Sequence, residues 1–171
     1  METLPATQGQ PNPFGRMIAA NGGVNAGAVA IEQERAIAEA QGQLTLAKRF
    51  PRSVTASITE FLDACNSPDF AATAFYSVPN RGSGPSIRLA EEAARCYGNF
   101  VYGHRELSRS EGKSEIEVYA WDMEKNTRAT IEVSRRITTK NGRRFSDDMV
   151  IVTGNAAASI ALRNALFRVI P

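Results

Sequence analysis

Phe100-Val-Tyr-Gly-His-Arg-Glu-Leu107, Ser114-Glu-Ile-Glu-Val-Tyr-Ala-Trp-Asp122 and Thr127-Arg-Ala-Thr-Ile-Glu-Val-Ser-Arg-Arg-Ile137 are three strand-like segments in a row, parted by the polar turns Ser110–Lys113 and Met123–Asn126. In the third, Ala129, Ile131, Val133 and Ile137 alternate with Arg128, Thr130, Glu132, Ser134 and Arg136, the period-two pattern of a strand with one packed and one wet face. An arginine-rich loop, Thr138–Phe145, follows. Ser146 then offers a helix cap, with Asp147 and Asp148 where the helix dipole favours negative charge. The last helix ends as Asn155-Ala-Ala-Ala-Ser-Ile-Ala-Leu-Arg-Asn-Ala-Leu-Phe-Arg-Val-Ile-Pro171, and its small residues let a sheet approach closely. This order predicts an α+β fold in which N-terminal helices precede a three-stranded antiparallel meander packed on a C-terminal helix.

Upstream, the apolar spacing turns helical. Val29, Ile31, Ile37, Ala40, Leu44 and Ala47 sit in an Ala-, Glu- and Gln-rich run from Ala28 to about Lys48, closed by Phe50-Pro51. Ser53 caps a second helix with Val54, Ile58, Phe61, Leu62 and Cys65 at helical spacing, ended by Asn66-Ser-Pro68. A short helical turn and the segment Ala74–Val78 follow, and Pro79-Asn-Arg-Gly-Ser-Gly-Pro85 reads as a loop. Ser86 caps a third helix that leaves at Gly98. Residues 1–27, rich in Gln, Gly, Pro and Asn, read as a flexible arm, so one domain is expected over 28–171: a helical subregion, 28–80, and a β-β-β-α core, 81–171.

At 171 residues the chain suits one domain with an appendage. Its net charge of +2 conceals an asymmetry: residues 81–171 carry 15 Lys/Arg against 11 Asp/Glu, whereas residues 1–80 carry 5 against 7. Arg135, Arg136, Lys140, Arg143 and Arg144 fall within ten residues that contain no acid, a local signal for a polyanionic partner. Cys65 and Cys96 form no C-x-x-C pair, and with a single histidine, His104, no zinc set is legible. Neither a secretory leader nor a run of about 18 apolar residues is read. A reduced, cytoplasmic protein without metal or cofactor is expected. No P-loop, G-x-S-x-G or H-E-x-x-H motif is present, and no catalytic residue is assigned.

The pattern resembles the RecT/Red-beta class of bacteriophage single-strand annealing proteins and the wider superfamily with a β-β-β-α core. The resemblance is carried by Gly84-Pro-Ser-Ile-Arg-Leu-Ala-Glu-Glu-Ala-Ala-Arg95 leading into Tyr97-Gly-Asn99, by Ala120-Trp-Asp122 with Asn126-Thr-Arg128, and by the terminal Ala165-Leu-Phe-Arg-Val-Ile-Pro171. It covers roughly residues 28–171, and the topology weighs more than any single motif. It implies ATP-independent binding and annealing of complementary single strands by rings or helical filaments, with single-stranded DNA and an annealed duplex intermediate as partners. A phage exonuclease or the host single-strand binding protein is implied as a further partner, and the bacterial cytoplasm as the location. Members usually continue past this helix, so a chain ending at Pro171 reads as a truncated or minimal member.

The candidate nucleic-acid-binding residues are Arg81, Arg88, Arg95, Arg128, Arg135, Arg136, Lys140, Arg143, Arg144, Arg163 and Arg168. Most of these have a structural alternative. The 135–144 cluster can be a solvated hairpin tip, Arg163 and Arg168 can pair with Glu115 or Glu117, and Arg88 and Arg95 can pair with Glu91 and Glu92. Tyr102, Tyr119 and Trp121 can stack bases or serve as core or cross-strand pairs. Asp147 and Asp148 can cap a helix or hold a divalent ion for a nuclease. Against annealing stands a phage structural or adaptor oligomer that binds no nucleic acid.

Overall fold

The structure, a computed structural model, describes residues 26–79 and 82–171. The arm expected over 1–27 lies outside the described residues apart from its last two positions, which are helical, and Arg81 lies outside them altogether. The elements are α1 (Ala26–Arg49), α2 (Val54–Cys65), α3 (Pro68–Ala74), β1 (Phe75–Val78), β2 (Gly82–Pro85), α4 (Ile87–Tyr97), β3 (Phe100–Ser110), β4 (Lys113–Asp122), β5 (Thr127–Arg136) and α5 (Asp147–Val169). The chain divides into two compact units at Gly42, within α1. Of the first, the described part is helix, with Glu32 and Arg35 3.9 Å apart one turn along. The second, Gln43–Pro171, holds every other described element.

Serine caps start three of the helices as the sequence predicts. Ser53, Ser86 and Ser146 accept from the backbone N–H of Ala56, Leu89 and Met149 at 3.4, 3.3 and 3.4 Å, each satisfying an otherwise orphaned donor. Ser86 also donates to the Thr73 carbonyl at 2.7 Å, tying the start of α4 to α3. The meander runs β3-β4-β5, antiparallel throughout. Glu111 and Gly112, at φ 49° and 72°, form its first turn, matching a two-residue primed turn whose twist suits a hairpin.

Alternation on β4 is complete. Ser114, Ile116, Val118, Ala120 and Asp122 are buried, while Lys113, Glu115, Glu117, Tyr119 and Trp121 face the other way and none of these five is buried. The buried side packs against Ala157, Ala158, Ala161, Leu162, Ala165 and Leu166 of α5, with Ala90 and Ala94 of α4 in the same core. Val118, Ala120, Ala165 and Leu166 are wholly inaccessible. The alanines are why a helix can settle this close to a sheet. By length and mean composition alone α5 could cross a membrane, although polar residues such as Asn155, Arg163 and Asn164 interrupt it; eight of its residues are buried within this chain's own fold.

Three local expectations change. Gly82–Pro85 is not loop but a strand paired with Phe75–Val78, and Gly84 opposes Tyr76, whose hydroxyl oxygen and ring would lie 3.1 and 3.3 Å from a Cβ there. A glycine with an aromatic partner across the ladder is a known way for a sheet to recover the packing that glycine lacks. β3 runs on to Ser110 through an irregularity between Glu106 and Ser108. On α2 the packed side is Ser57 and Phe61, and Val54, Ile58 and Leu62 are 50, 52 and 57% exposed.

Candidate nucleic-acid interface

One end of the sheet collects cations from three segments. Arg135 and Arg136 end β5, and the chain then folds back as a small hairpin. Ile137, buried, donates its N–H to the Gly112 carbonyl at 2.8 Å; Phe145 donates to the Ile137 carbonyl at 2.9 Å; and Thr139 donates to Arg143 at 2.8 Å. Thr138 bridges Arg144, and Gly142 takes φ 79° at the tip. The basic stretch is therefore a held hairpin that presents Lys140, Arg143 and Arg144 in exposed positions. Beside it stands the β3–β4 turn with Arg109 and Lys113, where the ladder sets Lys113 directly opposite Arg136.

Seven cations thus share one end of the sheet, with Glu106, Glu111, Asp147 and Asp148 as the acids nearby. Two are partnered: Arg109 binds Glu106 at 2.8 and 2.9 Å, and Arg144 lies 3.5 Å from Asp147. The hydrogen bond from Arg109 holds the Glu106 carboxyl below the usual glutamate value, with Ser114 adding a second donor. Arg135, Arg136, Lys140, Arg143 and Lys113 form no ion pair among the described residues.

The other predicted residues lie elsewhere. Arg128, at the start of β5, faces the outer side of the sheet opposite Trp121. Arg95 bridges Glu60 of α2 and Glu92 of its own helix at 2.7 Å each, and its hydrogen bond lowers the Glu92 pKa. Arg88 is exposed and lines an open groove with Phe70, Thr73 and Tyr102. Arg163 donates to the Pro85 carbonyl at 3.3 Å and to Asn164 at 3.0 Å, and its guanidinium lies 5.2 Å from the Tyr76 ring centre. It bolts the β1–β2 hairpin to α5 and does not pair with Glu115 or Glu117, which are engaged with Ser108 and Arg105. Arg168 is exposed, without an ion pair among the described residues, at the far end of a helix about 35 Å long. Arg143 and Arg144 at one end and Arg168 at the other do not form one cluster.

Sequence reasoning missed Arg109 and Lys113. The signal was present: placing the Ser110–Lys113 turn against the end of the third strand puts residue 113 beside residue 136. It also missed the role of Arg52, whose guanidinium lies 4.3 Å from the Tyr97 ring centre and 5.3 Å from that of Phe100 while forking onto Asp122 and reaching Glu124. Asp147 lies by Arg144, and no three His, Cys, Asp or Glu converge among the described residues. Comparison with family models, with curated proteins and with solved structures finds no match to this chain.

Proposed function

We infer that the protein binds single-stranded DNA and anneals complementary strands without nucleotide hydrolysis, as a homo-oligomer that repeats its basic end from subunit to subunit. The observation that supports this is the convergence at one sheet end of Arg109, Lys113, Arg135, Arg136, Lys140, Arg143 and Arg144, with Lys113 and Arg136 opposed in the ladder. Like charges set directly opposite destabilise a sheet, and a phosphate lying between them relieves that repulsion. Two strands whose phosphates are each partly neutralised approach one another against a smaller barrier. No covalent step is needed. Arg88, Arg128 and Arg168 supply separate contacts along a bound strand. Glu115, Glu117 and Glu132 keep phosphates off the middle of the outer face. On this reading the protein acts in the cytoplasm of a phage-infected bacterium, beside a phage exonuclease or the host single-strand binding protein.

Acceleration of pairing between labelled complementary oligonucleotides at low salt tests the reading. A folded sample that anneals no faster than buffer overturns it. A phage structural or adaptor oligomer is the second reading, favoured by the exposed apolar residues Val54, Ile58 and Leu62 on α2 and Met149, Ile151 and Val152 on α5, since surfaces of this kind commonly mark contacts with other chains. Such a protein shows no steep fall of DNA affinity with salt.

A further inference from the structure

The outer face of the sheet carries the only tryptophan of the chain, in a cluster separate from the basic end. Trp121 stands opposite Arg128 on β5 and Val101 on β3; two residues along, Tyr119 stands opposite Thr130 and Gly103. Because Gly103 has no side chain, Tyr119 lies across the β3 backbone: a Cβ there would come within 3.1 Å of the tyrosine oxygen and 3.3 Å of the ring. The guanidinium of Arg128 is 5.1 Å from the Tyr119 ring centre and 5.9 Å from that of Trp121, so one cation serves both rings. Trp121 Nε1 donates to Asn126 Oδ1 at 3.1 Å, so its ring needs no other polar partner. None of the three side chains is buried, and Arg128 makes no ion pair among the described residues. Aromatics on strands usually serve a core, but these stand on the face opposite the one that packs against α5.

We propose that Tyr119, Trp121 and Arg128 form a platform on which an unpaired nucleobase of a bound single strand stacks. Every base has a π-face, so such a site is indifferent to sequence, and the guanidinium adds a cation–π contact. This rests on the nucleic-acid reading of the basic end and adds a second mode of contact to it. The platform lies eight residues along β5 from Arg136, about 26 Å at about 3.3 Å per residue. Glu115, Glu117 and Glu132 lie between the two, so the strand meets this end through its bases and not through a continuous row of phosphates.

The experiment is a pair of titrations of the full chain with a thirty-residue oligothymidylate. One follows anisotropy of a terminal dye, the other the intrinsic fluorescence of Trp121, both repeated across a salt series. The expected result is tryptophan quenching that saturates with the anisotropy signal. Trp121→Leu is expected to weaken binding about tenfold while leaving the salt slope unchanged, and Trp121→Phe to bind close to the parent, because loss of a stacked base is not loss of a phosphate contact. Binding with no change in tryptophan emission, and with Trp121→Leu as tight as the parent, overturns the platform and leaves the basic end standing. Absence of any binding by the folded chain overturns both.

Discussion

Lys113 and Arg136 face each other across the β4–β5 ladder on the exposed side of the sheet, two cations held at cross-strand distance with no acid between them. The arrangement costs stability in the free protein. Lys113→Glu is therefore expected to raise the unfolding free energy by about 0.2–1 kcal/mol while weakening single-stranded DNA binding. Urea denaturation and anisotropy on the same sample check both. A variant that gains stability and keeps full affinity would remove this pair from the interface.

Arg143→Ala with Arg144→Ala is expected to weaken binding and to reduce the slope of log affinity against log salt by about 1.4, two phosphate contacts at about 0.7 each. Arg168→Ala lies at the other end of α5, so its effect should add to that of the double variant within about 0.5 kcal/mol, as for independent sites. A salt series on the double variant, on Arg168→Ala and on the combination of all three substitutions measures this. Strong coupling between the two ends would place them on one continuous contact.

Arg52 supports the sheet from outside it. Its guanidinium forks onto Asp122, with one arm at 2.9 Å, and its Nε reaches Glu124 at 3.0 Å; the Arg52 and Asp122 side chains are each only 4% exposed. Removing one partner strands a buried charge, so Arg52→Ala is expected to cost about 3–5 kcal/mol. Arg52→Lys should recover little, since a lysine cannot reproduce the two-armed contact. Denaturant midpoints at constant slope give the comparison.

The same junction sets an acid limit. The Arg52 backbone N–H, at 2.9 Å, is the chief cause holding the Glu124 carboxyl below its ordinary value of 4.5, with Asn99 at 3.0 Å adding a donor. A lowered carboxylate pKa contributes stability that is fully present above the unfolded value and is lost as pH falls through the folded one. Stability should hold above about pH 5 and decline below about 4.5, with Glu92 and Glu106, lowered by Arg95 and Arg109, contributing in the same direction. Glu124→Gln should flatten part of that decline in a pH series of urea melts; an unchanged acid limb would place the linkage in other groups.

The three long strands, α5 and the serine caps were legible because each is written in local order: alternation on Thr127–Ile137, Ser146 before two acids, alanines where a helix meets a sheet. The paired state of Gly82–Pro85 was not, since its composition breaks strands and it is held by the ladder to Phe75–Val78 and by Tyr76. Periodicity on α2 found an apolar stripe, yet Val54, Ile58 and Leu62 turn away from the core while Ser57 turns in. A period identifies faces, not which of them meets a neighbour. At the candidate site, five cations within ten residues were visible as a cluster. Arg109 and Lys113 join them only through strand register, and Arg163 leaves the set because it is committed to Pro85 and Tyr76.

The Arg52 junction also bears on how the chain can be divided. The sequence invites a cut near residue 81, leaving a freestanding β-β-β-α piece. Such a fragment would begin after Arg52 and keep Asp122, buried at 3% exposure, together with Glu124, with the guanidinium that answers both carboxylates excised. The helical subregion from Arg52 onward and the meander are thus a single inheritance. Any shortened form that keeps the sheet soluble must carry the arginine with it, or exchange both acids for neutral residues.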